Sequence, residues 1–464
     1  MLTYAALSPH PPLIIPEIGG ERLKEVPDTV RGMKQMAAEL TAARPDTIVF
    51  LTPHGNVFGD AVSILSQPLL EGNLASFGSN IKWTNIANDL LLVREITDKA
   101  IDSGINILWV DRENAARHRL NPHLDHGIMV PLYYLREAGL EDIPITAISI
   151  GFLPQVELYA LGCIIAAAAN KLDKKIAVVA SGDMSHRLKD EGPYDYHPDG
   201  PVYDRQIKRL LLENDFEAII NMSEELRENA GECGYRSIVI MLGCLDKLQV
   251  KSEIFSYEGT FGVGYLIAGF TPFGERHSLL EKLKNSRRQQ LEETRQGESL
   301  PVKWARLTLE NYIKQGSLPE LPLEYEQLRD TSAGVFVSLK KHGQLRGCIG
   351  TIEAAYDDIA AEIQANAISA ATHDPRFPAV QADELDQLAY SVDILGKAEP
   401  CTREDLDPAQ YGVIVSRGAR RGLLLPALEG VNTVDGQLNI ALQKAGIKPG
   451  EDYNIQRFKV TRYS

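Results

Sequence analysis

Short apolar runs, each closed by a small polar turn, set the pattern of the first half of the chain. Leu2–Leu7, Ile48–Leu51 and Ile176–Ala180 are such runs. They end at Ser8-Pro9-His10, Thr52-Pro53-His54 and Ser181-Gly182-Asp183-Met184-Ser185-His186. Apolar runs of this length bounded by turn residues read as buried parallel strands. Between them lie longer segments with helical spacing. Val30, Met33, Met36, Ala37 and Leu40 form one stripe along Asp28–Ala43, and Pro45-Asp46 ends it before the next strand. That order predicts a βαβ unit with parallel strands and a right-handed crossover.

The alternation continues to about Gly274. A helix over Asn85–Ser103 precedes strand Ile105–Val110, and a helix over Gly127–Ala138 precedes strand Ile143–Ile150. Helix Gln155–Leu172 precedes strand Lys175–Ala180. Helix Tyr235–Leu248 leads to strands Ser252–Tyr257 and Val263–Phe270, with Gly259 and Gly262 suited to a hairpin between them. The fold class expected is α/β: a mostly parallel sheet flanked by helices over residues 1–276. Residues 277–297 are polar and highly charged, and read as a solvated helical linker.

Residues 298–464 change pattern. Helix Val302–Lys314, strands Gly334–Leu339 and Gln344–Thr351 around His342-Gly343, and helix Asp357–Thr372 come first. Strands Leu388–Leu395, Gly412–Ser416 and Gly422–Leu425 and helix Gln437–Ala445 follow. Strands joined by short turns suggest a smaller α+β domain.

Composition narrows the classes. The chain has 464 residues, 44% hydrophobic and 24% charged, with a net charge of −15. That balance argues against a nucleic-acid partner, which usually meets a basic face, and against docking on anionic membranes. No apolar run reaches the ~18–20 residues of a membrane span. The first residues lack a basic start and are broken by Pro9, Pro11 and Pro12, unlike a signal peptide. The five scattered cysteines, Cys163, Cys233, Cys244, Cys348 and Cys401, fit reduced thiols in a cytoplasmic protein.

The histidines are the main chemical signal. In an open α/β sheet the loops at the carboxyl ends of the strands share one crevice. His10, His54 and His186 would therefore meet there, and converging imidazoles suggest a metal or acid/base centre. Two neutral imidazoles and one carboxylate on one face of an octahedron leave room for substrate and O₂ on Fe(II). His10 and His54 follow neighbouring strands of one βαβ unit and are the natural pair. Glu232, in Gly231-Glu232-Cys233-Gly234 at the start of an apolar helix, is the expected carboxylate. Its neighbour Cys233 is the alternative ligand, and a thiolate there would favour zinc or copper.

Ser8-Pro9-His10-Pro11-Pro12, Thr52-Pro53-His54-Gly55, Leu124-Asp125-His126-Gly127 with Val130-Pro131-Leu132, and Ser181–His186 resemble the motifs of class III extradiol (LigB-type) dioxygenases. The same stretch, about 270 residues, resembles the related Memo proteins. The resemblance implies that His10 and His54 are iron ligands, that His186 is an acid/base group, and that His126 lies near a catechol-type or phenolic substrate. It also implies Glu as third ligand in the dioxygenases and Cys in the Memo proteins. This chain offers both.

From about Pro301 onward, Leu345-Arg346-Gly347-Cys348-Ile349-Gly350, Ala370-Ala371-Thr372-His373-Asp374-Pro375-Arg376-Phe377 and Arg421–Pro426 resemble the AMMECR family. Arg346, Cys348, His373, Asp374 and Arg376 make a possible second site, in which a Cys–His pair would permit nucleophilic catalysis. The two domains together resemble a component of the AmmeMemoRadiSam system, which implies a radical-SAM protein as partner. The expected activity is that of a non-haem Fe(II) extradiol dioxygenase. The alternative is a non-catalytic Memo-like module that binds a metal or peptide.

Overall fold

A computed structural model describes residues 1–428, 430–448 and 450–464. Contacts divide the chain into two units, Met1–Lys284 and Asn285–Ser464. The first is built on strands β1 (Leu2–Ser8), β2 (Thr47–Thr52), β3 (Val62–Leu65), β4 (Leu69–Asn73), β5 (Lys82–Ala87), β6 (Ile107–Val110), β7 (Ile145–Ser149), β8 (Ile176–Ser181), β9 (Leu248–Glu258) and β10 (Tyr265–Glu275). Eight of them form one mixed sheet in the order β6-β3-β7-β2-β8-β1-β10-β9. Its centre, β7-β2-β8-β1, is parallel. Strands β2 and β8 are buried along their whole length, as expected of strands covered on both faces.

One core packs on each face. Val49, Leu51, Val178 and Ala180 pack against the helices Gln155–Lys171 and Tyr235–Cys244. Ile48, Phe50, Ala177 and Val179 pack against the helices Pro27–Ala42 and His126–Glu137. Alternate residues of each strand thus feed opposite cores, the period-2 rule of a pleated strand.

Two expectations change. β1 and β2 are parallel but not neighbours, because β8 lies between them. The three histidine-tipped strands are therefore consecutive in the sheet, in the order β2-β8-β1. Residues 85–87, expected in a helix, belong to β5, which pairs with β4; the helix begins at Leu90. Trp83 and Ile86 are three residues apart, the spacing of a helix face. In the strand, one extra residue between them, with Asn85 at φ +58°, makes a bulge that buries both.

Residues 279–297 form one helix. Leu280 and Leu283 pack into the first unit's core, and Arg295 Nη2 donates to Leu385 O in the second unit at 2.7 Å. The second unit holds two four-stranded antiparallel sheets. β11 (Val335–Lys341), β12 (Gln344–Gly350), β13 (Leu388–Leu395) and β18 (Val460–Tyr463) run β12-β11-β13-β18. β14 (Glu399–Pro400), β15 (Gly412–Arg417), β16 (Arg420–Leu424) and β17 (Asn454–Phe458) run β14-β17-β15-β16. The β11–β12 turn is His342-Gly343, both at positive φ, as a two-residue hairpin of this twist requires. No helix among the described residues is long and apolar enough to cross a membrane.

Candidate metal centre

The carboxyl ends of β1, β8 and β2 deliver three loops to one place. β1 stays in register with β8 through Ser8 and Ser181, so His10 emerges directly beside the end of β8. His10 Nδ1 lies 2.8 Å from Ser181 Oγ, which turns its Nε2 toward the cluster. A metal-binding imidazole characteristically uses its second nitrogen in this way. His54 follows β2, with its backbone N–H donating to Thr52 Oγ1 at 3.2 Å.

His126 opens the helix His126–Glu137. Asp125 caps that helix by accepting the Gly127 N–H at 2.7 Å. Gly127 is glycine for a packing reason: a Cβ there would stand 2.5 Å from Thr52 Oγ1. The Thr52 hydroxyl also donates to Asp125 Oδ1 at 2.7 Å, so one hydroxyl ties the His54 loop to the His126 cap.

His10 Nε2 and His54 Nε2 are 2.9 Å apart. Nitrogens about 2.0–2.1 Å from a shared ion stand about 2.9 Å apart at a right angle and about 3.3 Å apart at the tetrahedral angle. In the metal-free chain one ring can donate its N–H to the other across the same gap. Ligand atoms of His10, His54 and His126 all lie within 4.8 Å of one another. The His54 and His126 rings stack at 4.3 Å, and His10 meets His126 edge-on at 5.3 Å. His10 is buried, His126 half-buried and His54 exposed, so the cluster runs from the core to the mouth of the crevice.

The electrostatics favour neutral rings. Burial holds His10 well below the usual imidazole range, and His54 and His186 push the same way. Burial of its inner edge and His126 hold His54 down to about 4; burial and His10 hold His126 at about 4. Neutral imidazoles have a free lone pair for a metal. The residues present therefore fit a divalent ion.

The two residues expected as a third ligand are placed differently. Glu232 is not brought to the imidazoles: its Oε2 accepts the Tyr235 N–H at 2.6 Å, at the start of the helix Tyr235–Cys244. A carboxylate is stabilised at that position by the exposed amides of the helix end. Burial raises its carboxyl pKa, while Arg236 and Arg227 nearby favour the charged form. Cys233 turns the other way. Its Sγ lies 3.7 Å from His10 Nε2 and accepts the Asp183 N–H at 3.3 Å. Two glycines make this contact, since a Cβ on Gly182 would stand 2.1 Å from Gly234 Cα. Burial pushes the Cys233 thiol well up, and the Asp183 carboxylate adds to this.

Asp183, which the sequence offered only as a turn residue, belongs to the cluster. Oδ1 accepts the His10 N–H at 3.0 Å, and Oδ2 lies 3.9 Å from His10 Nε2. Burial raises it to about 6, against the pull of His186 and the His10 amide. His186 Nδ1 is buried without a hydrogen-bond partner among the described residues, and its ring meets Tyr194 edge-on at 6.0 Å. The loop carrying it is pinned by Asp204, whose Oδ1 accepts the Ser185 N–H at 2.8 Å. Phe77 lies 5.3 Å from His126 at the mouth.

The second expected group is only partly assembled. Arg346 is committed to Glu384 through Nε at 3.0 Å and Nη2 at 2.9 Å. His373 is exposed and bonds its neighbour Thr372, not Cys348. Cys348, Asp374 and Arg376 do come together: Asp374 Oδ2 accepts the Cys348 N–H at 2.9 Å and Arg376 Nη2 at 2.7 Å. The Arg376 hydrogen bonds hold the Asp374 carboxyl well below the usual range.

Comparison with known proteins agrees with this architecture. Residues 4–268 match the family described as the catalytic LigB subunit of aromatic ring-opening dioxygenase, and residues 302–464 match AMMECR1. Protein CA_C1420 of Clostridium acetobutylicum is 40% identical over 464 residues, covering 98% of each chain. A Thermotoga maritima protein is 52% identical over 172 residues, 36% of this chain and 98% of its own. Among solved structures, uncharacterized protein PH0010 of Pyrococcus horikoshii is 30% identical, covering 35% of this chain and 88% of its own, with a TM-score of 0.33. Uncharacterized protein JW3007 of Escherichia coli K12 is 17% identical, covering 57% of this chain and 99% of its own, with a TM-score of 0.41.

Proposed function

We propose, from the premise that this chain belongs to the family of the catalytic LigB subunit of aromatic ring-opening dioxygenases and carries an AMMECR1 domain behind it, that its first domain is an Fe(II)-dependent oxidoreductase for a catechol-type or phenolic substrate. The observation that carries this reading is the 2.9 Å approach of His10 Nε2 and His54 Nε2, with both rings neutral. His10 and His54 would hold the metal, with the third donor either His126, whose ligand atom lies within 4.8 Å of theirs, or Cys233, whose Sγ lies 3.7 Å from His10 Nε2. Bound Fe(II) would supply Lewis acidity and a site for O₂.

The other residues act on the substrate. His186, close enough to act on the charges of His10, His54 and Asp183, would take and return a hydroxyl proton. His126, stacked on His54 and edged by Phe77, gives a planar ring a flat wall. An oxygen-electrode survey of catechols with anaerobically Fe(II)-loaded protein tests the reading. Diol-dependent O₂ uptake supports it, and no uptake with any diol contradicts it.

Cys233 favours a second reading. A thiol where a carboxylate was expected suits a Memo-like module that holds a metal or peptide without turnover. The pairing of the two domains supports a radical-SAM protein as the partner, which co-purification from a native host would test.

A further inference from the structure

The backbone that carries His186 is held from three elements. Ser185 O accepts the Gly264 N–H at 2.8 Å, in the turn between β9 and β10, and Gly264 O accepts the Met184 N–H at 2.8 Å. Ala230 O, at the end of the helix Glu224–Ala230, accepts Ser185 Oγ at 2.9 Å and the His186 N–H at 3.2 Å. The Ser185 N–H itself goes to Asp204 Oδ1 at 2.8 Å, from the helix Asp199–Glu213. Gly264 and Ala230 contribute main-chain groups, which any residue would supply. Asp204 contributes a side chain, so this bond depends on which residue stands there.

A carboxyl is an unfavourable group to bury at this place. Asp204 is 1% exposed, and its second oxygen accepts the Tyr257 O–H at 2.6 Å. Lys208, one turn along the same helix, places its Nζ over the Tyr257 ring at 4.2 Å rather than on the carboxylate. The β9–β10 turn closes tightly on the other side, since a Cβ on Gly264 would stand 2.2 Å from Asp204 Oδ2. Burial raises the carboxyl to about 7, against the pull of Tyr257, the Ser185 amide and Lys208, and Glu232 adds to the rise. An apolar side chain would avoid that desolvation. What the carboxyl supplies in its stead is the pair of hydrogen bonds, one of them to the residue next to His186.

The His186 ring needs such support. Its Nδ1 has no hydrogen-bond partner among the described residues, so the ring takes its direction from the backbone and from the edge-on contact with Tyr194. We infer that Asp204 is a positioning residue for His186: by holding the Ser185 amide it sets where the imidazole stands relative to His10 and His54. The inference rests on the acid/base role proposed for His186. The ring's placement, however, is measurable without any turnover.

NMR of the full-length, metal-free protein with isotope-labelled histidine reads that placement, with the His186 ring signal identified by its loss in His186→Gln. Asp204→Leu keeps the size of the side chain and removes the acceptor. It should shift the His186 signal and leave those of His342 and His373, in the second unit, where they are. Asp204→Asn still offers an oxygen to the Ser185 N–H and should return the signal to its wild-type position. Tyr257→Phe removes only the bond to Oδ2 and should leave the signal in place. Gly264→Ala presses a methyl group on Oδ2 and should shift the same signal, which keeps the test open if Asp204→Leu does not fold. With Fe(II) and an active diol, Asp204→Leu should lower kcat by about 10²-fold, the scale of a ~1 Å misplacement, at unchanged KM, and Asp204→Asn should recover most of it. Absence of turnover with any diol would sink the dioxygenase reading and leave the ring signal to decide this one. A His186 signal unmoved by both Asp204→Leu and Gly264→Ala overturns the inference. So does a signal moved as far by Asp204→Asn and Tyr257→Phe, which would reduce Asp204 to a packing role.

Discussion

The Thr52 hydroxyl donates to Asp125 Oδ1 at 2.7 Å, and in doing so links the loop that holds His54 to the helix start that holds His126. Each fixes a backbone from which an imidazole projects. Burial keeps the Asp125 carboxyl above its usual range, while Thr52 and the Gly127 amide favour its charged form.

Asp125→Ala should therefore loosen His54 and His126 together. Residues that orient metal ligands typically contribute ~10–100-fold in affinity, and a comparable loss is expected here in Fe(II) titration under anaerobic conditions. Thr52→Val should show a smaller loss of the same kind. Unchanged affinity in both would remove the link from the account.

His186 should behave differently from the ligands. His186→Ala should keep the metal and lose about 10²–10⁴-fold in turnover of any diol that drives O₂ uptake, the usual contribution of a positioned acid/base group. Metal analysis beside the rate assay separates the two effects. Loss of metal in this variant would make His186 a ligand instead.

Cys233 and Glu232 can be told apart spectroscopically. X-ray absorption of the Fe(II)-loaded protein should show a sulfur scatterer at about 2.3 Å that disappears in Cys233→Ser and persists in Glu232→Gln. A sulfur-free first shell that loses an oxygen in Glu232→Gln would restore the carboxylate as ligand.

Glu384 sets an acid limit on the second unit. Burial works against its charge, yet the bonds from Arg346 and the Gln381 amide, with Lys341, hold it down to about 2 from an ordinary 4.5. A lowered folded-state value stabilises above the unfolded value and is lost as pH falls through the folded one. The contribution should thus be complete above about pH 4.5 and fade toward about pH 2. Glu384→Gln should cost the second unit about 1–3 kcal/mol at neutral pH and flatten its stability profile over that acid window, read by denaturant unfolding. An unaltered acid slope would show that Arg346 does not depend on this carboxylate.

Much of this was legible in the chain. β1, β2 and β8 show as apolar runs because both faces of each are covered, and the histidine turns stand at their ends. Which strands adjoin did not show, since β8 comes late in sequence yet pairs between β1 and β2. The β4–β5 ribbon was hidden by a bulge that mimics helical spacing. At 231–234, composition could not say which of two adjacent donors turns inward. Gly231 at φ +61° and the Gly182–Gly234 contact decide it, and only the folded backbone shows that contact. Asp183 was readable as more than a turn residue only through its place between Ser181 and His186, where a carboxylate next to imidazoles orients them.

Elemental analysis of the wild-type chain and of His10→Ala/His54→Ala, each loaded anaerobically with Fe(II) and desalted, tests the central claim most directly. The wild type should retain one ion per chain and the double variant essentially none, with circular dichroism unchanged because neither side chain carries the core. Equal metal content in the two proteins would contradict the assignment of His10 and His54 as the ligands.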